Sequence, residues 1–517
     1  MVQTWQQLAQ QKQRQRQEKL DKFWPAAPDI SHYEQIDGAL TKRERELTNL
    51  IATEILDKFK SHEVTCVEVI TAFCKRTVLA QKLTNCCTEI MFEEALSRAA
   101  QIDEQFKKTQ SFVGPLHGLP ISIKDSFHVQ GYDSSIGFSI FCNKPQNSNS
   151  VVYDTLSGLG GIIICKTNVP QSMMTADSDN PIWGRTVNPY NKAITAGGSS
   201  GGEGALIGCR GAVIGVGTDI AGSIRVPAAF CGAYGFKPTS SRFPYQGQAD
   251  PCGPGRDFVP TVAGPLANSA EDLKLIFQAS LQTEPWKIDP SLQSIGYRQV
   301  PTPPKRLRVG IIPSFSSCPS HPVLQAAANR AMKQLNTSGH DAFLIDEIDT
   351  VNLADLWNTF YSLDSYKSTF EMIEAGGEPI IPSLTNIIKE NTGKLPLHSI
   401  DSLIQVKTDL DEYVIQLRKV WQKHLPGEYD VLLCPAALSL APPHDTFSKF
   451  NYTAMWNMMD VPATTIPVGK VNVDENGEPT DRSLSTLPVS LQIVGVRFRD
   501  EELLESTIVI DKLLNGS

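Results

Sequence analysis

The chain has 517 residues, 41% of them hydrophobic, with 47 lysines and arginines against 56 aspartates and glutamates and a net charge of −9. That acidic balance argues against a nucleic-acid partner, which needs a basic face, and the length is ample for a large core. Eleven cysteines without framework spacing fit reduced thiols and a cytoplasmic setting, and no run of 18 or more apolar residues offers a membrane span.

In chain order, Trp5 to Phe23 is rich in Gln, Lys and Arg and sets Trp5, Leu8, Leu20 and Phe23 at loose helical spacing. This predicts a surface helix that packs on the body or on another subunit, so a homo-oligomer stays open. Residues 1–45 are taken as an N-terminal helical extension, with no apolar leader after Met1. Thr41 to Ala80 carries helical periodicity through Leu47, Leu50, Ile51, Ile55, Leu56 and Phe59, and Phe92 to Phe106 predicts another helix. Leu119 to Ile123 and Gly161 to Lys166 are short, apolar and bounded by glycines or polar caps, as buried strands are. Ser200 to Cys209 has helical composition after a glycine-rich start, and Ala212 to Gly217 reads as a strand. Further helices are expected at Ser269 to Leu281, Pro322 to Leu335, Leu410 to His424 and Glu501 to Leu514. Further strands are expected at Arg308 to Pro313 and Asp430 to Pro435, and the polar stretch Lys470 to Thr486 reads as a surface loop. Strands alternating with helices indicate an α/β fold, layered α/β/α.

The chemistry concentrates between Gly197 and Pro238. Ser199, Ser200 and Ser223 lie there among many glycines, and no histidine occurs in the run. A serine hydroxyl is a weak nucleophile until something takes its proton. Lys124, in Pro120-Ile121-Ser122-Ile123-Lys124-Asp125, is a candidate base, because burial disfavours its charged form. The alternative is a strand-edge lysine with a packed stem and a solvated ammonium. Ala221 and Gly222 precede Ser223, so successive N–H groups there can turn inward as an oxyanion pocket. Asp219 and Arg225 either brace that loop or form a solvated pair.

Other motifs fare less well. Gly197 to Gly201 satisfies G-x-S-x-G, as does the frame centred on Ser200, but a nucleophile elbow needs a strand directly before it. The preceding Pro189 to Ala196 does not read as one, and His321, His340, His398, His424 and His444 sit in no triad-like context. Gly215-Val216-Gly217 lacks the third glycine of a dinucleotide loop, and no G-K-[ST] follows a glycine run. Cys86 and Cys87 are adjacent, no C-x-x-C or H-E-x-x-H occurs, and Cys165 and Cys231 read as small core residues, so no metal is expected.

The run GGSSGG at Gly197 to Gly202 and GTDIAGSIRVPAAFCG at Gly217 to Gly232 resembles the amidase signature family. Lys124, Lys166-Thr167-Asn168, Gly184 to Pro189 and LPVSLQIVG at Leu487 to Gly495 extend the likeness. Within the family the chain is most similar to fungal acetamidases and fatty-acid-amide-hydrolase relatives, through its opening and Val113 to Asp125. The resemblance implies a large central mixed β-sheet, a catalytic domain over residues 46–517 and peripheral helices at about 336–410. It implies a Ser–cis-Ser–Lys triad with Ser223 as nucleophile, Ser199 as bridge and Lys124 as base. Ile220, Ala221, Gly222 and Ser223 match the oxyanion hole. Ser200, Thr218, Asp219 and Arg225 match residues that hold the serine loops, and Met173, Gly197 and Gly198 match the substrate-binding side. No cofactor is implied. The expected substrates are small amides, with carbamate esters as an extension; the alternatives are an ammonia-releasing amidotransferase-type subunit, an α/β-hydrolase-type esterase, and a catalytically silent binding protein. Two departures stand out: Ala221 occupies a position where glycine is more frequent, and Asp460 replaces a usual glycine near the substrate side.

Overall fold

The structure is a computed structural model that describes residues 3–516 except 252–258, 351–355, 358, 361–362, 365, 392–398, 448 and 474–484. Its strands are β1 (Cys87–Ile90), β2 (Pro120–Lys124), β3 (Ile162–Thr167), β4 (Ile214–Asp219), β5 (Tyr234–Lys237), β6 (Val262–Ala267), β7 (Arg308–Ile311), β8 (Asp341–Leu344), β9 (Val431–Pro435), β10 (Ala463–Val473) and β11 (Ser485–Val494). They form one mixed sheet in the order β1-β3-β2-β4-β6-β5-β10-β11-β9-β7-β8, with helices on both sides. β2 runs parallel to β3 and β4, whereas β4 and β6 are antiparallel.

The three parallel strands next to β1 are buried along their whole length, which is why β2, β3 and β4 read as nearly continuous apolar runs. In β4 the small residues sit at Gly215 and Gly217. A Cβ at Gly215 would lie 2.0 Å from Glu203 Oε2, and one at Gly217 would lie 2.7 Å from Ser200 Oγ. The glycines therefore let the helix Gly201–Gly208 press onto the strand. That helix carries glycine at four of its eight positions. Glycine costs about 1 kcal/mol per helical position, so packing rather than propensity holds it. A Cβ at Gly202 would lie 2.3 Å from the Asn168 backbone nitrogen.

The periodic stretch from Thr41 to Ala80 resolves into three helices, Lys42–Thr48, Ala52–Lys60 and Cys66–Thr84. Thr41 and Thr65 cap the first and third by accepting from the amides of Glu44 and Glu68. The helix Trp5–Phe23 docks on β1: Arg16 and Lys19 donate to the carbonyls of Cys87 and Ile90 at 2.6 and 2.8 Å. Its buried Lys12 pairs with Glu89 at 2.5 Å and Asp133 at 3.0 Å. Within 336–410 the helices Lys367–Gly376 and Pro382–Asn391 and the start of Ile400–His424 are joined by β8, an edge strand of the main sheet. The polar stretch expected as a loop is strand at both ends. β10 and β11 continue as a pair through Lys470↔Pro488 and Asn472↔Thr486, and the remainder lies outside the described residues. At its described ends the polar composition belongs to a two-stranded ribbon. Among the described residues no helix is long and apolar enough to cross a membrane.

Candidate active site

β2, flanked by β3 and β4, carries Lys124 at its end, where the side chain is fully buried. Its Nζ donates to Ser199 Oγ at 2.6 Å and to Thr218 Oγ1 at 2.7 Å. Burial lowers its pKa from 10.5 to about 7, against the opposing fields of Asp219 and Glu203. The strand-edge reading of Lys124, with a solvated ammonium, is thus overturned: the parallel neighbours β3 and β4 enclose it. Lys166, equally buried on β3, turns elsewhere, to the carbonyl of Asp133 at 2.5 Å and Ser134 Oγ at 2.9 Å.

Ser199 follows a cis peptide bond from Gly198. Gly197 packs on Pro227, and Gly198 lies against the Thr175–Ala176 backbone, where a Cβ would meet Thr175 O at 2.5 Å. Ser200 joins the two serine loops: its amide donates to the carbonyl of Ser223 at 3.2 Å, and its hydroxyl lies 3.3 Å from both the amide and the carbonyl of Thr218. Ser223 is 6% exposed, and its hydroxyl makes no hydrogen bond to the described residues. The lysine–serine contact is therefore formed, while the contact from Ser199 to the Ser223 hydroxyl is not a hydrogen bond in this structure.

Asp219, at the end of β4, organises the loop before Ser223. It is wholly buried and accepts from the amides of Gly222 at 2.8 Å and Ile224 at 3.2 Å. Arg225 Nε and Nη2 each donate to it at 3.0 Å, and Asn457 Nδ2 donates at 2.9 Å. Burial would raise its pKa, but the Arg225 guanidinium, the field of Lys237 and the hydrogen bond from Asn457 together outweigh burial and hold the carboxyl at about 2. Asp219 and Arg225 are thus a buried brace, not a solvated pair. The amide of Gly222 is committed to this carboxylate, which corrects the expectation that it faces a substrate oxygen. The amides of Ala221 and Ser223 make no hydrogen bond to the described residues. Gly222 has φ of +128°, and a Cβ there would lie 2.4 Å from Thr453 Oγ1, so both the turn and the contact require glycine.

The helix Asn451–Met458 supports this loop from behind. Thr453 donates to the carbonyl of Ala221, and Asn457 Oδ1 accepts from Arg225 Nη2 at 2.6 Å. Gln492 on β11 accepts from Arg225 Nη1 at 3.1 Å. Sequence reasoning missed the roles of Thr453 and Asn457, and met Gln492 only as one residue of the stretch Leu487 to Gly495. They lie more than 200 residues from the loop they hold, and locally each shows only a polar residue inside an apolar run. Ala221 packs with Tyr452, Met455 and Trp456 in one apolar cluster. Asp460 sits in the left-handed region at φ 52°, the reason glycine suits this position. Its carboxylate is taken up outside the Ser199–Ser223 loops, accepting from the Ser240 amide and hydroxyl at 2.9 and 2.7 Å and from Arg497 at 2.7 Å.

Met173 is half-buried at φ 58° and packs on the apolar cluster of Ile136, Phe138, Met174 and Tyr366. A nucleophile elbow finds no strand here: among the described residues, the chain before Ser199 makes only isolated bridges, at Val187↔Thr195 and Ile194↔Pro443. His444 pairs with Asp177 at 2.9 Å, and the ring of His424 lies 2.7 Å from Glu347, so neither is bonded to a serine. His398 lies outside the described residues. Among the described residues no group of three His, Cys, Asp or Glu side chains is arranged to hold a metal.

The amidase family matches residues 68–504. An amidase of Gibberella moniliformis is 35% identical over 534 residues, which cover 99% of each chain. The acetamidase of Emericella nidulans is 34% identical over 547 residues, covering 100% of this chain and 99% of its own. Among solved structures, fatty acid amide hydrolase superimposes with a TM-score of 0.89 at 29% identity, over 99% of this chain and 94% of that one.

Proposed function

The chain belongs to the amidase family and is an amide-hydrolysing enzyme, and on that premise we propose that it cleaves the C–N bond of small amides through an acyl-enzyme on Ser223. The observation that carries this reading is the fully buried Lys124 amine, 2.6 Å from Ser199 Oγ. A base of pKa about 7 is matched to proton transfer near neutral pH.

In the proposed cycle uncharged Lys124 takes the proton of Ser199 as Ser199 takes that of Ser223. The Ser223 oxygen bonds to the amide carbonyl carbon, and the carbonyl electrons move onto its oxygen. The amides of Ile220, Ala221 and Ser223 are the proposed donors to that oxyanion, each worth about 3 kcal/mol in the transition state. As the C–N bond breaks, the leaving nitrogen receives a proton from Ser199, which is replenished from Lys124. Water then attacks the ester, giving its proton to the same relay, and the acid leaves as the Ser223 oxygen regains a proton. For the second link to operate, the Ser223 hydroxyl turns to Ser199 when substrate is bound; catalytic hydrogen bonds often tighten only in the complex. Thr218 orients the amine by taking its second hydrogen bond. Met173 and its apolar neighbours are proposed to border the acyl side, Gly197 and Gly198 to admit the substrate close to the backbone, and carbamate esters to enter the same cycle.

A fluorophosphonate probe tests this directly. Labelling is expected at Ser223, with labelling and ammonia release from acetamide both lost in Ser223→Ala. Labelling that persists at Ser200 in that variant would refute the assignment.

A further inference from the structure

Glu203 is a fully buried acid in the first turn of the helix Gly201–Gly208, four residues after Ser199. It does not cap its own helix. It reaches down to the sheet, where Ser122 Oγ donates to its Oε2 at 2.6 Å and Thr167 Oγ1 donates to its Oε1 at 2.7 Å. Ser122 is two residues before Lys124 on β2, and Thr167 is the register partner of Lys124 on β3, so both donors flank the lysine. Gly215 on β4 leaves the space that the carboxyl fills. Two hydroxyls are a modest solvation shell for an anion. A buried carboxylate usually has a guanidinium or several amides, as Asp219 has here.

We propose that Glu203 is a positioning residue for the amide-hydrolysing reaction: from its seat between Ser122 and Thr167, beside Lys124 on the same face of the sheet, its charge acts through space on the amine, so that the buried pair holds one proton between them without a direct hydrogen bond. With the proton on the carboxyl, the amine is uncharged and able to accept from Ser199. With the proton on the amine, both groups are charged and Lys124 cannot act as a base. In water the charged pair would prevail; burial of both side chains removes that preference. Consistent with this, burial also raises the pKa of Glu203 to about 7, against the opposing hydrogen bonds from Ser122 and Thr167 and the field of Lys124. The charges acting on Lys124 are Asp219 and Glu203, and Asp219 is itself held by Arg225 and Lys237. Besides Lys124, among the described residues the Cys165 thiol also feels Glu203; burial raises its pKa, so it stays neutral.

The inference rests on Lys124 as the base, and its test separates the two. Glu203→Gln keeps the shape of the side chain and removes the acid. The acid limb of the kcat/KM profile on acetamide should then move to lower pH by about half a unit or more, since no anion remains to favour the charged amine. One pH unit below the parent's midpoint, the rate relative to plateau should rise about threefold. A merely structural Glu203 would lower the plateau and leave the limb in place. Thr167→Val provides a second measurement if the first variant does not fold: it removes one donor to the carboxylate and should move the limb in the same direction by less. A limb that stays within about 0.2 unit in the folded variants overturns the proposal. If Lys124→Ala also abolishes turnover, the role of Lys124 survives and only the proton sharing fails.

Discussion

Replacing Lys124 by methionine should abolish turnover and make the protein more stable at neutral pH. The lysine amine ordinarily titrates at 10.5, and burial brings it to about 7. That difference corresponds to about 5 kcal/mol of folding free energy, at 1.36 kcal/mol per unit. The sign follows from proton binding. Between pH 7 and 10.5 the unfolded chain holds a proton on this lysine that the folded chain has shed, so stability rises with pH through that window. The cost is fully present below pH 7 and gone above 10.5. Methionine avoids it while filling similar volume. The variant loses the hydrogen bonds to Ser199 and Thr218, worth roughly 1 kcal/mol each. The net expectation is a gain of about 2–3 kcal/mol at pH 7 that shrinks, and changes sign, as pH approaches 10. Urea unfolding of parent and Lys124→Met at pH 7 and pH 9.5 measures both points. A variant less stable than its parent at pH 7, or a difference that does not change with pH, would refute the reasoning.

Asp219→Ala strands the buried Arg225 guanidinium and should cost about 3–5 kcal/mol in urea unfolding; adding Arg225→Met should recover part of that loss, whereas a purely additive double variant would contradict the brace. Asp460→Gly removes the bonds to Ser240 and Arg497 but suits the left-handed backbone, so stability should fall by about 1 kcal/mol while kcat/KM on acetamide stays within about twofold; a larger kinetic loss would put Asp460 at the substrate. Thr453→Val removes the hydroxyl that holds the Ala221 carbonyl and should lower kcat about tenfold with KM little changed, because the loop bearing the proposed oxyanion donors loses its support; an unchanged kcat would detach that helix from the reaction.

Much of the fold is legible where local pattern and tertiary demand agree. β2, β3 and β4 are apolar because both sides of them are covered, and the Pro322–Thr337 helix shows its proline at the first turn. The strands β1, β5 and β8 have only four residues each, and β6 carries Gly264 and Pro265 in its centre, so nothing local marks them. They become strands by pairing with long-range neighbours, as Pro265 does opposite Val216. The site divides in the same way. Lys124, Ser199 and Ser223 stand in glycine-rich or buried contexts that carry a chemical meaning in sequence. The commitment of the Gly222 amide to Asp219, the clasp of Asp460 on Ser240 and the seat of Glu203 between Ser122 and Thr167 depend on which side chains the sheet brings together. Such placement leaves no trace in one strand or helix taken alone.

The central claim is that an amine without charge takes the first proton, and the pH dependence of Ser223 acylation tests it most directly. Stopped-flow labelling by a fluorophosphonate between pH 5 and 10 should fall about tenfold per unit below a midpoint near that of Lys124, about 7, and level off above it. A labelling rate that is flat across that range would contradict the account.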